Sequence, residues 1–188
     1  MRASILGGFL ALTMTVGAAA AGPVEEVRTA VLYHDVLHPG SDVEEGADIE
    51  VEVVFSEWEG LKFLGRPKIN VAVAGNTDGD TNWAAAGLVW DKDFNDRWFG
   101  ELQFGYAVHD GELEVPAGAP PQAYKDEHLL LGSRDLFRSA AVVGYRIDED
   151  WSVALEWVHL SHGEILADGL AHNQGIDAAG IRIGRRFK

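Results

Sequence analysis

The sequence has no cysteine in 188 residues. Disulfides cannot staple this fold, so hydrogen bonding and packing must hold it together. Positive charge is scarce: 15 Lys and Arg stand against 30 Asp and Glu, a net charge of −15. Binding to phosphate backbones needs a basic face, which excludes nucleic acid as a partner. Long apolar runs are missing beyond the N-terminal segment, because Asp, Glu, Arg, Gly or Asn interrupts every hydrophobic stretch. Membrane-spanning helices are therefore excluded, whereas β-barrels, whose strands average to mild hydropathy, are not. The length allows one domain.

The N-terminal segment has its own logic. Met1-Arg2 is positive, Ile5 to Val16 is apolar, and Ala19-Ala20-Ala21 supplies the small residues of a cleavage site. Residues 1–21 read as a secretory signal peptide, leaving 22–188 as the mature domain.

What the rest of the chain has in abundance is alternation of period two. Ile49, Val51, Val53 and Phe55 alternate with Asp48, Glu50, Glu52 and Ser56, with Val54 the exception. Ile69, Val71 and Val73 alternate with Lys68, Asn70 and Ala72, and Trp98, Leu102, Phe104 and Tyr106 with Arg97, Glu101 and Gln103. Only an extended strand puts such sets on opposite faces. Eight strands are expected, near 27–36, 47–56, 67–75, 83–91, 97–108, 136–147, 151–161 and 176–187. Long Gly/Asp/Asn-rich loops at 37–46, 76–82, 109–135 and 162–175 alternate with shorter links, although 57–66 is long for such a link. The Pro-bearing stretch 115–122 reads as exposed and irregular.

This pattern predicts an all-β fold, an eight-stranded antiparallel transmembrane barrel of outer-membrane type, with long loops outside and tight turns in the periplasm. One parity carries Asp48, Glu50, Glu52, Glu101, Arg138, Arg146, Glu156, Arg182 and Arg186, which can pair across a narrow lumen. The other is aliphatic and aromatic. It places Trp90, Trp98, Tyr145 and Trp157 near strand ends, as an interfacial belt would. A soluble periplasmic barrel or sandwich, with the apolar parity inward, is the competing architecture.

On the seventh strand, His159 and Ser161 share the apolar, outward parity with Val153, Leu155 and Trp157. Asp177 has outward parity at the start of the next strand, which pairs antiparallel. The three converge on one lipid-facing patch near the extracellular rim, where polar groups are costly unless they act. His159 can take the proton of Ser161, and Asp177 can orient the imidazole. Backbone N–H groups where the strand breaks at His162-Gly163 could stabilise an oxyanion. The His-x-Ser spacing alone carries little, since about 0.3 matches are expected by chance; parity, placement and the acidic partner lift it. The plainer alternatives are an interfacial His159, a strand-ending Ser161 and a solvated Asp177. A metal site from His159, His162, His172 and Asp177 is disfavoured because His159 and His162 have opposite parity.

The same residues carry a resemblance. His159-Leu160-Ser161, Asn173-Gln174-Gly175-Ile176-Asp177 and Gly180 to Phe187 resemble the lipid A 3-O-deacylase (PagL-type) family of eight-stranded outer-membrane barrels, as does the run Leu131 to Arg138. The resemblance implies Ser161 as nucleophile, His159 as base and Asp177 as acidic orienter, with His162, Gly163 and Asn173 in support. It also implies lipid A in lipopolysaccharide as substrate and no metal or cofactor. In the family pattern Asn follows the Ser and Glu closes the later stretch; here His162 and Asp177 stand in those places. A non-catalytic structural or adhesive barrel with a degenerate hydrolase site is the alternative.

Overall fold

Every alternating segment forms a strand, and the eight strands close on themselves. The computed structural model describes residues 23–36, 43–166 and 174–187. The expected signal peptide and Asn173 lie outside the described residues. The strands are β1 (Val24–Tyr33), β2 (Ala47–Glu57), β3 (Lys68–Asn76), β4 (Trp83–Asp93), β5 (Trp98–His109), β6 (Asp135–Arg146), β7 (Trp151–Ser161) and β8 (Ile176–Arg186). They run in sequence order as a closed antiparallel barrel, and β1 pairs with β8 through, for example, Val31↔Ile181. Closure removes every sheet edge, so each strand can satisfy its backbone in lipid.

β1 departs most from the sequence expectation. It begins three residues earlier and stops at Tyr33, because Asp35 adopts positive φ (49°). His34 is turned into the barrel mouth, where its imidazole meets Asp48 at 2.9 Å and Glu44 at 3.0 Å. Two short helical pieces were also not anticipated: a 3-10 segment at Glu59–Leu64 and one α-turn at Pro121–Lys125.

The polar parity faces inward. Arg28 binds Glu52 and Glu101, each at 2.8 Å, and Glu26 at 3.0 Å. Arg138 contacts Glu50 at 3.1 Å and Glu156 at 3.3 Å, with its guanidinium 5.1 Å from the Trp83 ring centre. Arg182 reaches Glu101 at 2.9 Å. These groups are buried and interlocked, so the lumen is filled. Its extracellular part differs from expectation in holding an apolar cluster beside the His34–Asp48–Glu44 group. Leu32, Trp83, Leu136, Leu160 and Ile176 point inward there, and Leu129 and Leu131 of the β5–β6 loop fold in to join them. The outward parity is apolar, with Val31, Leu102, Phe104, Val143, Leu155, Ile181 and Ile183 all exposed. This arrangement suits lipid outside and excludes the soluble alternative.

Candidate active site

The β7–β8 hairpin sets the geometry. Its register pairs His159 with Asp177, and Ser161 lies two residues beyond His159 on the same face. His159 Nδ1 lies 3.0 Å from Asp177 Oδ1, and His159 Nε2 lies 3.1 Å from Ser161 Oγ. An ionised carboxylate only accepts, so Nδ1 donates to Asp177 and the neutral ring's Nε2 accepts the Ser161 hydroxyl proton. The His159 side chain is 34% exposed and that of Asp177 only 7%. The acid is thus screened while the imidazole and hydroxyl meet the outer surface. Trp157 lies beneath, its ring centre 6.0 Å from that of His159 at an interplanar angle of 24°. Trp157 therefore supports the imidazole in mid-strand rather than belonging to a belt at the strand end.

Rigid backing explains why these groups can be held so close. Val158, Leu160, Ile176 and Ala178, the inward neighbours of the three polar residues, are all fully buried in the apolar part of the lumen. The Asp177 carbonyl accepts the Val36 N–H at 2.6 Å. Just before β8, Gln174 accepts the Leu130 N–H through Oε1 at 2.6 Å. Gly175 follows with φ 72°; a Cβ there would lie 3.0 Å from the Leu160 carbonyl oxygen and 3.4 Å from His159 Cε1. The sequence quoted Gln174 and Gly175 only as parts of a motif; their positioning roles emerge from the fold.

His162 does not join the outward patch. It has the opposite parity, is buried, and its Nδ1 accepts the Glu164 N–H at 3.0 Å. Its carbonyl accepts the N–H groups of Ile165 and Leu166. The imidazole thus shapes the turn after Ser161. Gly163 has φ 60° and sits against Phe137, which pairs with Ser161 across β6 and β7.

A groove of about 920 Å3 lies on the outer wall beside this patch and meets it at Trp157. Small residues make its floor: Gly100 on β5, Ala141 on β6, Ala179 and Gly180 on β8. Leu102, Val143, Leu155, Trp157 and Ile181 make its sides, and Trp90 and Phe94 close its periplasmic end. Sequence reading missed it, because scattered Gly and Ala give no periodic signal and align only through register.

Comparison with known proteins gives a consistent result. The model of the family described as lipid A 3-O-deacylase (PagL) matches residues 48–186. No curated protein sequence matches. Among solved structures, the crystal structure of the outer membrane enzyme PagL superposes with a TM-score of 0.57 at 18% identity, covering 85% of this chain and 97% of that one. A de novo designed transmembrane β-barrel superposes with a TM-score of 0.52 at 10% identity, covering 88% and 97%. At these identities the structures speak for the fold, and the family match speaks for descent. This outer-membrane β-barrel belongs to the lipid A 3-O-deacylase (PagL) family of ester hydrolases.

Proposed function

We propose that the protein is a serine esterase that releases the 3-O-linked acyl chain of lipid A from the outer leaflet. The observation that carries this reading is the unbroken Asp177–His159–Ser161 chain of hydrogen bonds on the lipid-facing surface. Asp177 replaces the longer Glu of the family pattern yet reaches Nδ1 at 3.0 Å, so the shorter side chain spans the gap.

In this mechanism Ser161 Oγ attacks the ester carbonyl while His159 Nε2 takes its proton. Asp177 stabilises the imidazolium that results. The oxyanion needs an N–H donor close to Ser161. The Gly163 N–H suits that task, because those of Glu164, Ile165 and Leu166 are already bonded to His162. Collapse expels the sugar hydroxyl, which recovers its proton from His159. Water, activated by the same imidazole, then cleaves the acyl-serine and frees the fatty acid. Serine ester hydrolysis needs no metal or cofactor for these steps. The groove below Trp157 gives the departing acyl chain an apolar bed with small residues along its floor. We assign residues 1–21 as the export signal that brings the chain to this membrane.

Mass spectrometry of lipid A from cells expressing the protein tests the reading. A mass loss of one hydroxyacyl chain is expected, and it should vanish with Ser161→Ala. Unchanged lipid A in cells holding the folded barrel would instead establish the non-catalytic alternative.

A further inference from the structure

The link between β2 and β3 is longer than a periplasmic turn requires, and it goes somewhere. Glu59–Leu64 wind into the 3-10 segment, after which Gly65 (φ 86°) and Arg66 (φ 57°) reverse the chain. The reversal does not hang below the barrel. The Leu64 carbonyl accepts a hydrogen bond from Trp90 Nε1 at 2.8 Å. A Cβ on Gly65 would lie 3.9 Å from the same indole. Trp90 pairs with the lipid-facing Leu102, and three more residues of β4, Asp91–Asp93, continue past it. They amount to roughly 10 Å of strand. The link is thus folded up against the outer wall of β4.

This placement leaves large apolar side chains without protein cover. Phe63 is 77% exposed, and Leu64 and Trp58 are exposed with it. Lys62 and Arg66 flank the Phe63-Leu64 pair. Apolar side chains beside basic ones are the chemistry of an interfacial anchor, with the first meeting acyl chains and the second the headgroups. The wall on which the link leans already faces lipid, and that continuity selects the occupant. We propose that residues 57–66 form a foot that inserts Phe63 and Leu64 into the phospholipid of the periplasmic leaflet. β3 stands four strands from β7 in the closed order. The link leans on β4, three strands from β7, so the foot grips the membrane at the opposite, periplasmic end of the wall from the His159 patch. It fixes the depth and tilt at which that patch meets the outer leaflet.

The chain's lack of cysteine makes the test direct, because one introduced thiol carries one spin label. Phe63→Cys, Leu102→Cys on the lipid-facing wall and Ala117→Cys in an extracellular loop are labelled. Each is refolded into vesicles of phosphatidylethanolamine and phosphatidylglycerol, with heat-modifiable migration confirming the barrel. The label at 63 is expected to resemble that at 102, open to oxygen with access to a water-soluble nickel chelate lost. Nickel access at 63 like that at 117 would overturn the proposal, and is also the result expected if a periplasmic protein covers the pair. In a second experiment Phe63→Ser and Leu64→Ser are combined with a label at Trp58→Cys. Nickel access at 58 should rise while that at 102 stays fixed; no change at 58 would equally overturn the foot. Neither readout involves ester hydrolysis, so the outcome is independent of the esterase proposal.

Discussion

The two faces of the barrel wall treat polar groups in opposite ways. Inside, Arg28, Arg138 and Arg182 meet Glu26, Glu50, Glu52, Glu101 and Glu156, and each cation touches more than one carboxylate. Outside, the middle of the wall is apolar, and Ser161, His159 and Asp177 form a single short chain. Inward charge is redundant and serves packing. Outward polarity is connected in series from Asp177 through His159 to Ser161, so loss of any one member breaks the connection. The lesson is that density of polar residues is a poor guide to function in such a barrel, and their side of the wall is a better one.

Substitutions can test that contrast. Ser161→Ala should reduce deacylation on the order of 10⁶-fold. The thermal midpoint of heat-modifiable migration should hardly move, since the hydroxyl lies at the surface. Asp177→Asn should cost on the order of 10⁴-fold in kcat, because an amide can hold the wrong tautomer at Nδ1. Asp177→Glu should recover most of that loss, and full activity of the Asn variant would remove Asp177 from the mechanism. Arg138→Ala should do the reverse of Ser161→Ala. It strands buried carboxylates and should lower stability by about 3–5 kcal/mol in denaturant titration, while the folded fraction keeps its turnover.

Smaller effects sharpen the boundary between the faces. Gly175→Ala introduces strain of about 1–2 kcal/mol at positive φ and crowds the His159 ring. Turnover should fall more than substrate binding, which a split of kcat from KM would reveal. A further effect concerns the mouth. Burial pulls the His34 pKa down, but the hydrogen bonds its ring donates to the Asp48 and Glu44 carboxylates outweigh it and raise it to about 10. A folded pKa above the unfolded one stabilises fully below about 6.5, and the contribution disappears as pH rises through about 10. Unfolding midpoints should therefore fall between neutral pH and pH 10, with a shallower slope for His34→Gln. Parallel slopes for the two chains would show that the clamp contributes nothing.

Much of this was legible in one dimension. Strand number, the inward and outward parities and the convergence of His159, Ser161 and Asp177 all follow from the period-two rule and one antiparallel pairing. What the rule could not supply depends on contacts between distant segments. The apolar part of the lumen comes from Leu129 and Leu131, which belong to a loop and have no strand parity. The groove exists because Gly100, Ala141 and Ala179 reach one stretch of wall, with Trp157 between the two alanines, only after three strand registers are set. Parity already turned His162 to the face opposite Ser161, but the rule is silent on its ring, whose Nδ1 accepts the Glu164 N–H in the turn after the strand. The Trp90–Leu64 bond that raises the β2–β3 link joins residues 26 positions apart.

The exposure of His159 to the bilayer side of the wall has a kinetic meaning. A substrate that arrives through lipid never passes through water, so its effective concentration is a surface density. Under the proposed esterase reading, lateral diffusion and the packing of neighbouring glycolipids, rather than bulk molarity, would set how often Ser161 meets an ester. Rates should then scale with the mole fraction of substrate in a mixed vesicle. They should be indifferent to total lipid once every barrel sits in a membrane.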